Sequence, residues 1–294
     1  MPCWLPPPPR PESAQARVAI CMTGHLRTFG RSHVHGSIRE HLIGGLSRLG
    51  ALVDLFAVLG TADAPVKSSR DPWRLTPVVG ERAIDELALQ SLHPRQVVWV
   101  KQPWLQPNHK CRLANAAARM LLERGIAQPS AWATCYGLLE HAERADQLTY
   151  DWVIRTRPDA WWYAPHPPLC SGKACPIVLH RHPCDRRNGY SDHHFELPRS
   201  AAAGVLRGMA LTYQECNTTL PYTRLEDWLG GAVATTGRNL GLPSFQTKVM
   251  PLVLVRNSST EPSARILCRC THPEIDLCLR GAYPSEASSS DSFY

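Results

Sequence analysis

The segment 150–159, Tyr-Asp-Trp-Val-Ile-Arg-Thr-Arg-Pro-Asp, carries the residues of this chain that are best suited to chemistry. Side chains alternate along a strand, so Arg155, Arg157 and Asp159 would share one face if the strand persists to its end. Two cations and a carboxylate at a strand end suit a phosphate-bearing ligand and its metal ion. The alternative interpretation is an ion-paired strand end, in which Arg157 only neutralises Asp159.

A second candidate site lies in the segment 23–29, Thr-Gly-His-Leu-Arg-Thr-Phe, which follows a short apolar run. Gly24 at a strand-to-helix turn would let the backbone approach a ligand, and the amides that follow can bind an anion. Arg27 would project from the same sheet edge as Asp159. We therefore expect these two side chains to line one cleft, although a loop arginine facing solvent would fit the same sequence.

The elements that must position these side chains alternate between strand and helix. Apolar, β-rich runs predict strands at 17–22, 54–59, 96–101 and 151–155. Apolar residues at helical spacing predict helices at 32–49, 79–92, 115–124 and 130–147. This alternation predicts an α/β fold with a mostly parallel central sheet and helices on both faces, related to the Rossmann fold. Ligands of such sheets bind outside the carboxyl ends of the strands.

The second half of the chain is less regular, with proline and histidine crowded between residues 164 and 183. Short strands at 177–180 and 194–197 and helices at 199–212 and 227–236 are expected to extend the same sheet. We expect three regions along the chain: a proline-rich, disordered tail at 1–16, the α/β domain at 17–262, and a cysteine-containing, serine-rich extension at 263–294.

The composition excludes several classes of protein. The 294 residues carry 32 Lys and Arg against 25 Asp and Glu, a formal net charge of +7, and only five of the basic residues are Lys. The arginines are scattered and form no dense stripe, so we expect no nucleic-acid partner. No apolar run reaches the ~18 residues of a membrane helix, so we expect no membrane span in this chain. The signatures of P-loop ATPases, dinucleotide-binding dehydrogenases, zincins and serine hydrolases are also missing from the sequence.

Four short motifs occur in an order that resembles a known family. They are GxLRTF from Gly24, DLF from Asp54, YDWVxRxRPD from Tyr150 and DxxFxxPR from Asp192. Together, over roughly residues 17–236, they resemble a plant and algal family that is regarded as glycosyltransferase-like. That family is similar to the GT-A fold, a nucleotide-sugar-binding α/β sandwich whose D-x-D motif holds Mn²⁺ or Mg²⁺ on the donor diphosphate. The resemblance implies transfer of a sugar from a nucleotide-sugar donor to a hydroxyl group of a glycan or other acceptor.

The resemblance also implies roles on the donor side of the site. Gly24, Arg27, Arg155 and Arg157 would contact the phosphates or the sugar, and Asp159 would hold the Mn²⁺ or Mg²⁺ ion. The chain contains no D-x-D motif, and Arg-Pro-Asp stands at its position. Transferases that work without a metal use cations instead, which Arg155 and Arg157 could supply. A catalytically silent nucleotide-sugar binder, or an interaction module stapled by Cys and His residues, is the alternative to an enzyme.

Two further sites follow from the resemblance. Asp192 and His193 correspond to the segment that lines the acceptor side, and Glu226 and Asp227 correspond to the acidic pair from which inverting enzymes draw a catalytic base. Each has a simpler interpretation: a strand with exposed polar residues for the first, and acidic residues favoured by the helix dipole for the second.

The cysteines and the two N-x-S/T sequons, at Asn217 and Asn257, bear on the compartment. Cys170, Cys175 and Cys184 lie close to two histidines, but their spacing differs from that of structural zinc modules, so a disulfide or loop cysteines are favoured over zinc. The compartment is left open: the Golgi or ER lumen if a targeting segment precedes this sequence, and the cytoplasm otherwise.

Overall fold

The computed structural model describes residues 15–26, 28–60, 81–100, 108, 110–113, 127–172, 174–181, 190–222 and 224–254. Its strands are β1 (Arg17–His25), β2 (Leu52–Gly60), β3 (Gln96–Val100), β4 (Arg112–Leu113), β5 (Trp152–Thr156), β6 (Ala160–Trp162), β7 (Val178–His180), β8 (Phe195–Pro198), β9 (Thr219–Leu220), β10 (Gln246–Lys248) and β11 (Leu252–Leu254). Its helices are α1 (Ser32–Ser37), α2 (Gly44–Arg48), α3 (Glu81–Gln90), α4 (Ala127–Asp146), α5 (Arg199–Ala202), α6 (Gly208–Gln214) and α7 (Leu225–Asn239), with the π-helical turns π1 (Ile38–Ile43) and π2 (Ala203–Arg207).

A seven-stranded sheet with the order β10-β7-β8-β5-β1-β2-β3 forms the centre of the fold. β1 pairs in parallel with β2 and β5, β2 with β3, and β7 with β10. β8 runs antiparallel to both of its neighbours. The four strands expected in the first half therefore lie parallel in one sheet, and the two strands expected in the second half extend it as β7 and β8, which confirms the predicted fold class.

The central strand β1 shows why the sheet is covered on both faces. Ala19 and Cys21 pack into the core beneath α4, whereas Val18, Ile20 and Met22 belong to the core on the other face, and all five are fully buried. A strand that is apolar on both faces is typical of a parallel sheet between two helical layers. Helices α4 to α7 cover the first face, and α1 to α3 with the small β6–β11 ribbon cover the second.

Two predicted helices are interrupted by π-helical turns. The helix expected at 32–49 consists of α1, π1 and α2, and the amide of Gly44 donates to the carbonyl of Arg39 five residues earlier. The helix expected at 199–212 likewise contains π2. A single wide turn hardly changes the spacing of apolar residues, so periodicity cannot reveal it.

Several expectations fall on parts of the chain outside the description. The helix at 115–124, the strand residue Lys101, most of the tail at 1–16 and the whole extension at 263–294 lie outside the described residues. The boundaries of the three regions therefore stay predictions. Within the described residues, no helix is both long and apolar enough to cross a membrane.

Candidate functional site

Arg155, the fourth residue of β5, is fully buried at the carboxyl edge of the sheet. Its Nε donates to Thr23 Oγ1 at 3.1 Å, and its Nη2 donates to Gln128 Oε1 at 3.1 Å. The guanidinium carbon lies 5.0 Å from the ring centroid of Trp132 on α4, a cation–π distance. Each of these partners is neutral, and Nη1 has no hydrogen-bond acceptor among the described residues.

The charge of Arg155 is balanced only at a distance. Burial lowers the pKa of Arg155 to about 9, although the negative charges of Asp192 and Asp159 oppose that shift. Asp192 is also buried, and its Oδ2 accepts no hydrogen bond in the described part of the chain. Burial alone would raise the pKa of Asp192, but the nearby His193, Arg155 and Arg157 outweigh burial and hold it below its ordinary value. We call Arg155, Arg157, Asp159 and Asp192 the charge cluster. In it, Arg155 Nη1 and Asp192 Oδ2 have no hydrogen-bond partner among the described residues.

Arg157 and Asp159 form a buried, two-pronged ion pair. Arg157 Nε donates to Asp159 Oδ1 at 2.7 Å, and Arg157 Nη2 donates to Asp159 Oδ2 at 2.9 Å. Both oxygens of the carboxylate are thus engaged by a cation, which is the arrangement expected of an ion-paired strand end. A Mn²⁺ or Mg²⁺ ion, as the resemblance implies, would have to share this carboxylate with the guanidinium of Arg157.

The ends of β1 and β5 meet at Gly24. This glycine has a φ of +140°, which side chains rarely adopt, and a Cβ at this position would lie 3.4 Å from Pro158 Cδ. A glycine is therefore required where β1 passes the turn that carries the ion pair. Arg27 lies outside the described residues, so its shared cleft with Asp159 stays a prediction.

The other residues implied by the resemblance are distributed around this cluster. Asp192 lies in the electrostatic field of Arg155 and Arg157, and the half-buried His193 places its Nε2 3.7 Å from Asp192 Oδ1. Asp192 therefore belongs to the same charge cluster as Arg155 and Arg157, although the resemblance assigns it to the acceptor side and the two arginines to the donor side.

Glu226 and Asp227 lie in the first turn of α7 and are half-buried. Glu226 Oε2 lies 3.5 Å from Arg224 Nε. Burial raises the pKa of Tyr190, and the charge of Asp227 raises it further, which places Asp227 within electrostatic reach of this ring. Tyr190 precedes Asp192 by two residues. The segment 190–192 therefore connects the charge cluster with the first turn of α7, called the acidic turn because it carries Glu226 and Asp227.

A second polar cluster, which the sequence analysis did not identify, lies in the core on the opposite face of the sheet. His166 Nε2 lies 3.5 Å from Glu196 Oε1, and His194 Nε2 lies 4.0 Å from the same oxygen. All three side chains are buried. Burial lowers the pKa of His166 to about 4, holds that of His194 well below its ordinary value and raises that of Glu196 to about 7. These three residues are called the His/Glu cluster below.

Local structure explains how the His/Glu cluster is assembled. His194 and Glu196 are two residues apart at β8, so they point to one face of the sheet while Phe195 points to the other. His166 lies in a loop whose amide donates to the carbonyl of His41 in π1 at 2.9 Å. The sequence signal that could have identified the site is the H-x-E spacing in an apolar strand.

Two cysteines of the same half form a disulfide, which was one of the two interpretations that their spacing favoured over zinc. Cys170 is bonded to Cys175, and further disulfides join Cys21 to Cys135 and Cys111 to Cys216. His180 is buried, and its Nδ1 accepts a hydrogen bond from the amide of Met250 at 3.3 Å. His182 and Cys184 lie outside the described residues.

A cavity of about 630 Å³ lies at the amino edge of the sheet, where Ala16, Asp151 and Arg199 contribute to its wall. It is therefore remote from the charge cluster at the carboxyl edge.

Comparisons of the chain with protein-family models and with curated proteins find no match. The geometry of the two clusters is accordingly the basis for inferring function: the first is suited to an anion and the second to a cation.

Proposed function

We propose that this protein binds a nucleotide-sugar donor at the carboxyl edge of its sheet and transfers the sugar to a hydroxyl group. The observation that carries the proposal is the hydrogen bonding of Arg155, a buried guanidinium that contacts only neutral oxygens and keeps Nη1 without a described acceptor. A diphosphate bound nearby supplies the negative charge that this guanidinium lacks. The carboxyl edge is also where open α/β sheets bind ligands.

Arg199 provides the comparison within the same fold. Its guanidinium carbon lies 5.0 Å from the ring centroid of Tyr136, one turn along α4 from the Trp132 that supports Arg155. Unlike Arg155, Arg199 donates to both oxygens of Glu143, at 2.8 and 2.6 Å. The two arginines have the same aromatic support, but only Arg199 has a carboxylate bound to it. This contrast supports an anionic ligand for Arg155.

Arg157 is the residue of the charge cluster that a bound phosphate would contact. Its Nε and Nη2 groups bind Asp159, so Nη1 is the nitrogen of this guanidinium that is not used in that ion pair. Arg157 is also 7% exposed, whereas Arg155 is fully enclosed. A phosphate oxygen would therefore accept from Arg157, with Arg155 contributing positive charge from behind it.

The transfer step then uses the acidic turn of α7. A carboxylate of Glu226 or Asp227 accepts the proton of the acceptor hydroxyl as its oxygen attacks the anomeric carbon of the sugar. The bond between that carbon and the diphosphate oxygen breaks, and the nucleoside diphosphate leaves with the electron pair. Arg155 and Arg157 stabilise the negative charge on the leaving group. No step is assigned to a metal at Asp159, because both of its oxygens are engaged by Arg157.

The first experiment tests donor binding. Tag-free protein is heated with UDP, GDP and other nucleoside diphosphates, in EDTA and in Mn²⁺. A ligand at 100 times its Kd should raise the Tm by roughly 5–10 °C for a chain of this size. Arg155→Gln should weaken the binding by about 10- to 100-fold, since it removes a buried positive charge close to the phosphate. Arg199→Gln is the matched control, which should lower the Tm but keep the response to the ligand.

Two outcomes would contradict the binding proposal. One is the absence of any response to every nucleotide, and the other is an unchanged affinity in Arg155→Gln. A response in Mn²⁺ that disappears in EDTA would leave donor binding intact but would remove the metal-free version of the step.

The alternative function is a nucleotide-sugar binder without transfer, and one observation favours it. Asp159, where the GT-A pattern has a metal ligand, is engaged by Arg157. Release of nucleoside diphosphate from a panel of donors, with and without hydroxyl acceptors, separates the two functions. Acceptor-dependent release supports a transferase, whereas binding without any release supports the silent binder.

A further inference from the structure

The His/Glu cluster buries polar atoms that have no hydrogen-bond partner within the described residues. These atoms are His166 Nε2, both ring nitrogens of His194 and both carboxylate oxygens of Glu196. The three side chains are between 0% and 2% exposed. Leaving even one buried polar atom unpaired is costly, so five such atoms on three neighbouring side chains indicate a bound ligand.

The orientation of His166 identifies the charge of that ligand. Its Nδ1 lies 2.6 Å from the carbonyl oxygen of Pro167, and since a carbonyl can only accept, Nδ1 carries the proton. Nε2 therefore presents a lone pair toward Glu196 Oε1 at 3.5 Å. Two acceptors that face each other in a dry core repel unless a positive charge lies between them.

The distances favour a metal ion over a shared proton. A hydrogen bond that bridges two such atoms would be no longer than about 3.2 Å. Tetrahedral zinc, with bonds of about 2.0–2.2 Å, holds its ligand atoms roughly 3.3 Å apart. The observed separations of 3.5 and 4.0 Å are close to that value, and all three ligand atoms lie within 4.8 Å of one another.

We infer that His166 Nε2, His194 Nε2 and Glu196 Oε1 bind one zinc ion. Two imidazoles and one carboxylate form a ligand set typical of zinc, whereas Mg²⁺ and Ca²⁺ prefer oxygen ligands alone. The hydrogen bond from His166 Nδ1 to Pro167 is the outer support that metal-bound histidines commonly have. The ion joins the loop at 164–168 to β8. This inference is independent of the proposed transferase function.

The experiment measures metal content and coordination directly. Tag-free protein is dialysed against a chelator and then titrated with Zn²⁺, Co²⁺ or Mg²⁺. We expect one Zn²⁺ per chain by elemental analysis and a rise in Tm of roughly 5–10 °C at 100 times the Kd. Co²⁺ should give the intense visible absorption of a tetrahedral site, and Mg²⁺ should have no effect.

Variants distinguish ligands from neighbouring residues. Glu196→Gln and His194→Gln should each lose the bound zinc and the Co²⁺ spectrum. His193→Gln, adjacent in sequence but outside the His/Glu cluster, is the matched control and should keep both. Because Glu196→Gln also removes a buried acid, the metal-free variant should be at least as stable as the metal-free parent. If the carboxylate had only a structural role, the metal-free variant would be less stable.

The inference is overturned if the parent protein binds less than a tenth of an equivalent of Zn²⁺ after reconstitution. It is also overturned if Glu196→Gln and His194→Gln retain the Co²⁺ spectrum. Should His194→Gln fail to fold, the spectrum of the parent and the isosteric Glu196→Gln variant still decide between the outcomes.

Discussion

Arg157 donates to both carboxylate oxygens of Asp159, two residues later in the chain, at 2.7 and 2.9 Å. The resemblance implies a divalent cation at this carboxylate, whereas in the structure a guanidinium of the same segment binds both oxygens. The chain thus supplies its own cation at the carboxyl edge of the sheet. This pairing makes the metal dependence of donor binding the property to measure first.

Removing the charge of Asp159 should be strongly destabilising. Asp159→Asn leaves Arg157 as a buried, uncompensated cation, so the free energy of unfolding should fall by about 3–5 kcal/mol, measured by urea denaturation. Glu140→Gln is the control, because its partner Arg207 is largely exposed and the pair is 3.5 Å apart. That variant should cost less than about 1 kcal/mol. If Asp159→Asn is neutral for stability but abolishes Mn²⁺-dependent nucleotide binding, Asp159 is a metal ligand after all.

Substitutions of Glu226 and Asp227 in the first turn of α7 should affect sugar transfer but not nucleotide binding. Glu226→Gln and Asp227→Asn should keep the affinity for nucleoside diphosphates, and the variant of the true base should lose transfer by about 10²- to 10⁴-fold. Glu86→Gln in α3 serves as the control and should change neither property. Full transfer in both acidic-turn variants would eliminate the proposed base and leave His193 or a retaining mechanism.

A side chain at position 45 should disturb the loop that carries His166. The Cβ of Gly45→Ala would lie 2.9 Å from the amide nitrogen of His166, closer than a real contact allows. We expect a loss of about 1–3 kcal/mol in the free energy of unfolding, as for other overpacked sites. Gly36→Ala in α1 is the matched control, since nothing lies within 4 Å of its Cβ, and it should be neutral or stabilising by about 0.5–1 kcal/mol. Equal effects of the two substitutions would mean that the loop yields freely.

Two of the three disulfides should differ in how readily they are reduced. Both sulfurs of Cys21–Cys135 are fully buried, whereas Cys111 and Cys216 are half-buried. Mild reductant on the folded protein should therefore open Cys111–Cys216 before Cys21–Cys135, as followed by alkylation and peptide mapping. Reduction in denaturant is the control and should remove the difference. Simultaneous loss of the two bonds in the folded state would show that the core opens readily.

The sequence predicted the centre of this fold better than its chemistry. The runs that became β1, β2, β3 and β5 are continuous and apolar, and burial on both faces of a parallel sheet is the physical reason for that pattern. The alternation along β5 did not say which layer Arg155 would face, and in the structure it faces α4.

The His/Glu cluster could not be predicted in the same way, because its members come from elements that meet only after folding. His166 reaches the cluster through a hydrogen bond from its amide to π1, and π1 is invisible in apolar periodicity. The pairing of Arg157 with Asp159 was one of two interpretations that the spacing allowed, since the backbone path after β5 decides whether the side chains diverge or meet.

The bond between Cys21 and Cys135 joins the central strand to α4 across 114 positions of sequence, and both sulfurs are sealed within the core. Once the sheet and α4 have closed over them, neither an oxidant nor a reductant reaches these atoms without unfolding the protein. The oxidation state of the pair is therefore set while the chain folds and is retained afterwards. In purified protein, the oxidation state of Cys21 and Cys135 therefore reports the redox conditions under which each molecule folded.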